Sequence, residues 1–193
     1  MLYIIMLAMD QRISKILQKQ SFNNTVQNPA IWYMMACDLK EAADKLCWLD
    51  HSGVPVDNEM SRFMAIYQML LGLSFENLIK GLLIAQGKQI TEGNKLKPSF
   101  AKHNMSGLLS QLDTNTIQIN KEERKLLLGL EKYVVWRGRY PIPKQPDNYM
   151  IVMHGSGQHS LEQKLWNRLL DNLLDIGWNV TAKGKRIPFR KKH

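Results

Sequence analysis

Cysteine is nearly missing from this chain. Cys37 and Cys47 are the only two in 193 residues, ten apart in a helix-like segment. That spacing serves neither a zinc knuckle nor a disulfide framework, so both read as core thiols of a reducing compartment. Strand signals are scarce as well. Apart from a weak YMIVMH at 149–154, no alternating Val/Ile/Thr run is bounded by turns, which argues against a sandwich or barrel. The apolar opening MLYIIMLAM stops after nine residues, at Asp10, whereas a membrane span needs about 20. It also lacks the positive n-region and the small-residue cleavage site of a signal peptide. It reads as the start of a packing helix, and the protein as cytoplasmic with no membrane partner. No internal repeat shows, and no G-x-S-x-G is present. HGSGQ lacks the lysine and the preceding strand of a P-loop. His154 and His159 are five apart with no cysteine beside them, and no carboxylate cluster accompanies them. Neither a metal nor a cofactor is expected.

What is present is the balance of an ordinary globular protein, 45% hydrophobic and 22% charged. The length suits one domain with a real core. The formal charge is +9, but six of the excess positive charges lie in residues 181–193, TAKGKRIPFRKKH, leaving the body at +3. The chain therefore divides into a helical domain, 1–180, and a basic tail, 181–193. The tail either favours nucleic acid by releasing counterions from phosphates or aids solubility.

Helical periodicity dominates the body. Residues 2–19 predict a first helix, followed by a polar loop, SFNNTVQNP, whose Pro29 suits the first turn of the next helix. Over residues 30–51, Trp32, Met35, Ala36, Leu39, Ala43, Leu46 and Leu49 recur at three- and four-residue steps. Residues 58–86 are apolar almost all round and should lie at the centre, with Gly87 as C-cap. A short helix is expected at 102–112 and another at 120–137, capped by Asn120 with Glu122 and Glu123 in its first turn. The last helix is expected at 160–176, with Ser160 as cap. The fold class is all-α, a single bundle of about five or six helices.

Three features carry potential chemistry. Glu76 and Lys80 sit four apart in the most apolar helix, one above the other. Either they form a surface ion pair, or they make the polar floor of a cleft in which Lys80 offers charge to phosphate and Glu76 holds it. His103, at the start of a short helix, is either a capping group or a proton carrier, since imidazole titrates near neutrality. Third is WRGRYPIP at 136–143, where Arg137 and Arg139 flank Gly138 just past a helix end. Two guanidinium forks can clamp a phosphate, and Tyr140 and Trp136 can stack on a base. They can equally compensate the helix dipole and seal the bundle.

The order WYMMACDL, then LSFENLIKGLLIAQGK, then H-x-x-x-G-L-L, then W-R-G-R-Y-P-I-P resembles the HEPN superfamily of helical nucleotide-binding domains over about residues 30–176. That resemblance implies an all-α bundle, commonly a homodimer. It also implies RNA or nucleotide binding and, in nuclease members, metal-independent RNA cleavage in toxin–antitoxin or phage-defence systems. Those nucleases use an R-x(4–6)-H motif. Here its sole match is Arg186 to His193, within the basic tail. A site assembled from distant residues is expected instead. Its catalytic pair would be His103 and Arg139, with Lys80, Arg137, Tyr140 and Glu76 on phosphate or nucleic acid. The reading from another class is a non-catalytic helical module that dimerises or binds a protein partner; its eleven methionines suit an adaptable packing surface.

Overall fold

A computed structural model describes residues 2–46, 60–139 and 156–176, with side chains from residues 13, 63 and 158 of those stretches. The described chain is an all-α bundle. Its long helices are α1 (Leu2–Val26), α2 (Pro29–Leu46), α3 (Met60–Ala85), α6 (Lys121–Lys132) and α7 (Ser156–Ile176). Two short helices, α4 (Pro98–Ala101) and α5 (Met105–Leu109), lie between α3 and α6, and α6 runs on into a π turn, Tyr133–Arg137. A two-residue hairpin, β1 (Thr91–Glu92) with β2 (Lys95–Leu96), turns at Gly93, whose φ of 61° is left-handed. Residues 140–155 (with Tyr140 and YMIVMH), Cys47 and the basic tail lie outside the described residues.

α3 is central because nearly every side chain on it is apolar. Leu71, Phe75, Leu78, Ile79, Leu82 and Leu83 have no accessible surface, and α2, α5, α6, the π turn and α7 all pack on it. The stretch Phe63–Ala85 is long and apolar enough to cross a membrane, but most of it is buried inside the bundle. It ends as its glycine demands. Gly87 takes φ 84°, its N–H bonds Ile84 O and the Lys88 N–H bonds Leu83 O, both at 2.9 Å, closing a Schellman motif.

Helix boundaries differ from the sequence reading in several places. Of the short helix expected at 102–112 only Met105–Leu109 is helical. Residues 21–26 of the expected loop, SFNNTV, continue α1, because nothing in them breaks a helix. The chain turns only at Gln27 and Asn28, where Pro29 denies its predecessor the helical region. Asn28 Oδ1 then accepts from Ala30 N at 3.0 Å and starts α2. α7 begins at Ser156, so Ser160 lies inside it and is no cap. Asn120 caps α6 as expected, and its box with Glu123 closes through two bonds of 2.9 Å. Glu123 also accepts from Arg168 of α7 at 2.6 Å, docking that helix on the start of α6. Cys37 is half-buried and unbridged. Burial raises its thiol pKa, and the neighbouring Tyr33 hydroxyl is pushed up to about 12, first by burial and then by Cys37.

Candidate functional site

The Glu76–Lys80 pair is not on the surface. Glu76 is 4% exposed and Lys80 6%, and Lys80 Nζ donates to Glu76 Oε1 at 2.6 Å. The ammonium also lies 5.3 Å from the centre of the Trp32 ring on α2. Taking two such charges out of water costs several kcal/mol each unless their remaining hydrogen-bonding positions are filled. His103 fills one: its Nδ1 is 2.9 Å from Glu76 Oε2. An ionised carboxylate can only accept, so in the neutral ring Nδ1 carries the proton and Nε2 keeps its lone pair.

His103 sits in the link between α4 and α5, which is fastened on both sides. Phe100 and Met105 are each 2% exposed. Asn104 Oδ1 caps α5 by accepting from Gly107 N at 2.9 Å, and Met105 N–H donates to Glu131 Oε2 of α6 at 2.7 Å. The imidazole is thus held at the carboxylate while its side chain stays 36% exposed.

Arg139 closes the line. Its Nη2 is 3.5 Å from His103 Nε2, at the outer limit of a hydrogen bond. The π turn brings it there, with Gly138 N bonding Tyr133 O at 2.9 Å and Arg139 N bonding Trp136 O at 3.0 Å. Such turns recur at functional positions because they re-aim the residues that follow. Gly138 is required by contact: a Cβ there would fall 2.4 Å from Met69 Cβ on α3. Gly138→Ala is therefore expected to destabilise the fold by about 1–3 kcal/mol in urea unfolding. Met69→Ala should not rescue it, since alanine keeps the clashing atom. A variant as stable as the parent would show that the turn yields freely.

Lys80, Glu76, His103 and Arg139 therefore form one continuous line from the core to the surface. The rest of the expected site is arranged differently. Arg137 does not join Arg139 in a clamp: its guanidinium carbon lies 5.6 Å from the centre of the Tyr133 ring, and its side chain lines a hollow with Gln68 and Gln158. A two-residue step at the end of a π turn sends the two arginines to different neighbours. Lys80 is turned onto Glu76 and orients it, a different task from the phosphate contact expected of it. Tyr140 lies outside the described residues.

Sequence reasoning missed a second buried polar cluster. Glu162 of α7 has no accessible surface. It accepts from the Tyr67 hydroxyl at 2.6 Å and from Gln158 Nε2 at 3.1 Å, with His159 Nδ1 at 3.7 Å. The signal was its register: Glu162, Leu165, Trp166, Leu169 and Leu173 follow helical spacing on one face, and all are buried. Among the described residues no three His, Cys, Asp or Glu side chains gather as metal ligands. Comparison with protein-family models, curated proteins and solved structures finds no match for the chain.

Proposed function

We propose that this chain is a HEPN-like protein that binds RNA or nucleotide phosphate at Arg139 and His103, with metal-independent RNA cleavage in a toxin–antitoxin or phage-defence setting as its activity. The observation that carries this is the aimed imidazole: buried Glu76 holds Nδ1 at 2.9 Å, and Nε2 faces the exposed Arg139 guanidinium. Histidine and arginine, absent as a linear motif in the body, are paired in space across 36 residues of chain. In the reaction, His103 Nε2 takes the proton of a ribose 2′-hydroxyl, whose oxygen attacks phosphorus. Arg139 stabilises the charge on the phosphorus centre. The 5′ oxygen leaves with a proton returned from the imidazole, and a 2′,3′-cyclic phosphate remains. Glu76 stabilises the imidazolium formed in between and fixes the ring's orientation, as the carboxylate does in a catalytic triad.

Salt-dependent binding to labelled single-stranded RNA tests the reading. The chain truncated before residue 181 should still show log K falling with log salt, and Arg139→Ala should flatten that slope by about 0.7. Loss of all binding on removal of the tail would refute it.

One observation favours the interaction-module reading. Ile13, Ile16 and Leu17 of α1 are 50%, 48% and 59% exposed, and Met34 and Met35 of α2 are 54% and 51%. Apolar side chains concentrated on two consecutive helices suit a homodimer or a protein partner. A salt slope near zero together with a dimer in light scattering would support this reading, whereas a monomer would count against it.

A further inference from the structure

α1 is fastened to the body at its last turn. The Asn23 amide donates to Asn94 Oδ1 at 3.4 Å, and Val26 O accepts from Trp32 Nε1 of α2 at 2.8 Å. Before that turn, residues 13–22 are exposed throughout, so this stretch does not pack on the bundle. Ile13, Ile16 and Leu17 stand at i, i+3 and i+4, one stripe along the helix, each about half exposed. Cations flank the stripe: Arg12, Lys15 and Lys19 follow the same three- and four-residue steps beside it. Asp10 is the only acid in Leu2–Val26. The first eight positions, LYIIMLAM, are apolar on every side of the helix.

We propose that α1 is a membrane-surface helix, laying its apolar stripe into an anionic lipid bilayer with its cations among the headgroups. The apolar opening is too short to cross a bilayer, and crossing is all that its length excludes. A helix lying in the interface needs an apolar face and a basic flank, and α1 has both. Anionic headgroups complement that flank, each lysine or arginine near such a surface strengthening binding about fivefold. The all-apolar run LYIIMLAM decides among occupants. A groove on a protein partner covers one side of a helix and leaves the other sides of that run in water, whereas acyl chains surround it. A second copy would bring two cationic flanks together with one acid per helix to offset them, against the opposite-charge pairing that flanks a stable coiled-coil seam. RNA would satisfy the cations and leave the stripe in water. None of these residues belongs to the His103–Arg139 site, so the inference is independent of the RNA reading.

The test is co-sedimentation of full-length protein with vesicles of phosphatidylcholine and phosphatidylserine, beside vesicles of phosphatidylcholine alone. Binding to the mixed vesicles is expected. Ile13→Gln, Ile16→Gln and Leu17→Gln together should weaken it about tenfold or more at an unchanged thermal midpoint, since all three side chains are exposed. That variant keeps every charge, those of residues 181–193 included, so its loss isolates the stripe. Lys15→Gln with Lys19→Gln should also weaken binding about tenfold or more. RNA binding by the apolar triple variant should match the parent's. Failure of the parent to sediment with mixed vesicles would overturn the proposal. Sedimentation unchanged in the apolar triple variant would overturn it too, as adsorption of cations alone, and leave the stripe to a protein partner. A lipid-free dimer in light scattering that the same triple change converts to a monomer would assign the stripe to a second copy and likewise overturn it.

Discussion

Glu76→Leu is expected to lower the stability of the fold by about 3–5 kcal/mol. Lys80, 6% exposed, would keep its charge with no carboxylate, only the Trp32 ring at 5.3 Å. An aromatic face recovers about 2 kcal/mol for a desolvated cation, short of the several kcal/mol that burying it costs. Lys80→Met should cost a similar amount, because Glu76 then has only His103 as partner among the groups that hold it. The double variant Glu76→Leu, Lys80→Met should recover most of the loss, since an apolar pair of like volume commonly replaces a buried ion pair at little cost or with gain. His103 Nδ1 would then turn to water, which its 36% side-chain exposure allows. Urea unfolding of the two single variants and the double gives the coupling directly. Single losses below about 1 kcal/mol would mean that the pair is effectively hydrated, and the cleft reading would fail. If the double variant is stable yet inactive on RNA, the pair is retained for the site rather than for the fold.

That pair also shows how much of this molecule its letters carry. A glutamate and a lysine at i, i+4 in a helix otherwise apolar all round had to lie either on a surface or in a cleft, and helix geometry alone cannot choose. Burial decides it, and burial depends on α2 bringing Trp32 over Lys80 and on the α4–α5 link bringing His103 to Glu76. The local signals were legible: Pro29 at the start of α2, the capping box of Asn120, the left-handed Gly87. Each depends on three or four neighbouring residues. Of residues 76, 103 and 139, only His103 and Arg139 lie beside helix ends, while Glu76 lies well inside α3, so no local signal announced their convergence.

What escaped had non-local causes. The two arginines of WRGRYP part because the helix widens to a π turn as it presses Gly138 against Met69 and Gly72 against Val134. No periodicity in the sequence announces that change of pitch. Glu162 and Lys40 were passed over because charged residues are presumed exposed. Both sit in register with buried neighbours, and Lys40 is held there by Asp44 at 2.5 Å and the Trp166 ring at 5.8 Å. The helical spacing of Ala36, Lys40 and Ala43 could have revealed it.

His103→Ala is expected to lower RNA cleavage in EDTA by about 10²–10⁴-fold while leaving the circular dichroism spectrum unchanged. The helices should remain because the link is fastened by Phe100, Asn104 and Glu131 rather than by the ring, although stability should fall by about 1–3 kcal/mol as Glu76 Oε2 loses its partner. His103→Gln separates chemistry from placement. A glutamine amide can still donate to Glu76, but it cannot carry a proton between ribose oxygens, so it should be as inactive as alanine. Arg139→Ala should cost a comparable amount, about 10²–10³-fold, through loss of charge stabilisation at phosphorus. If the two groups act on one transition state, as proposed, the double variant should be little worse than either single change. Cleavage by His103→Ala at the parent's rate would remove the imidazole from the chemistry. RNA binding that still falls on Arg139→Ala would then leave the pocket as a phosphate receptor without a base, and the hydrogen bond from Nδ1 to Glu76 as a device for closing its floor.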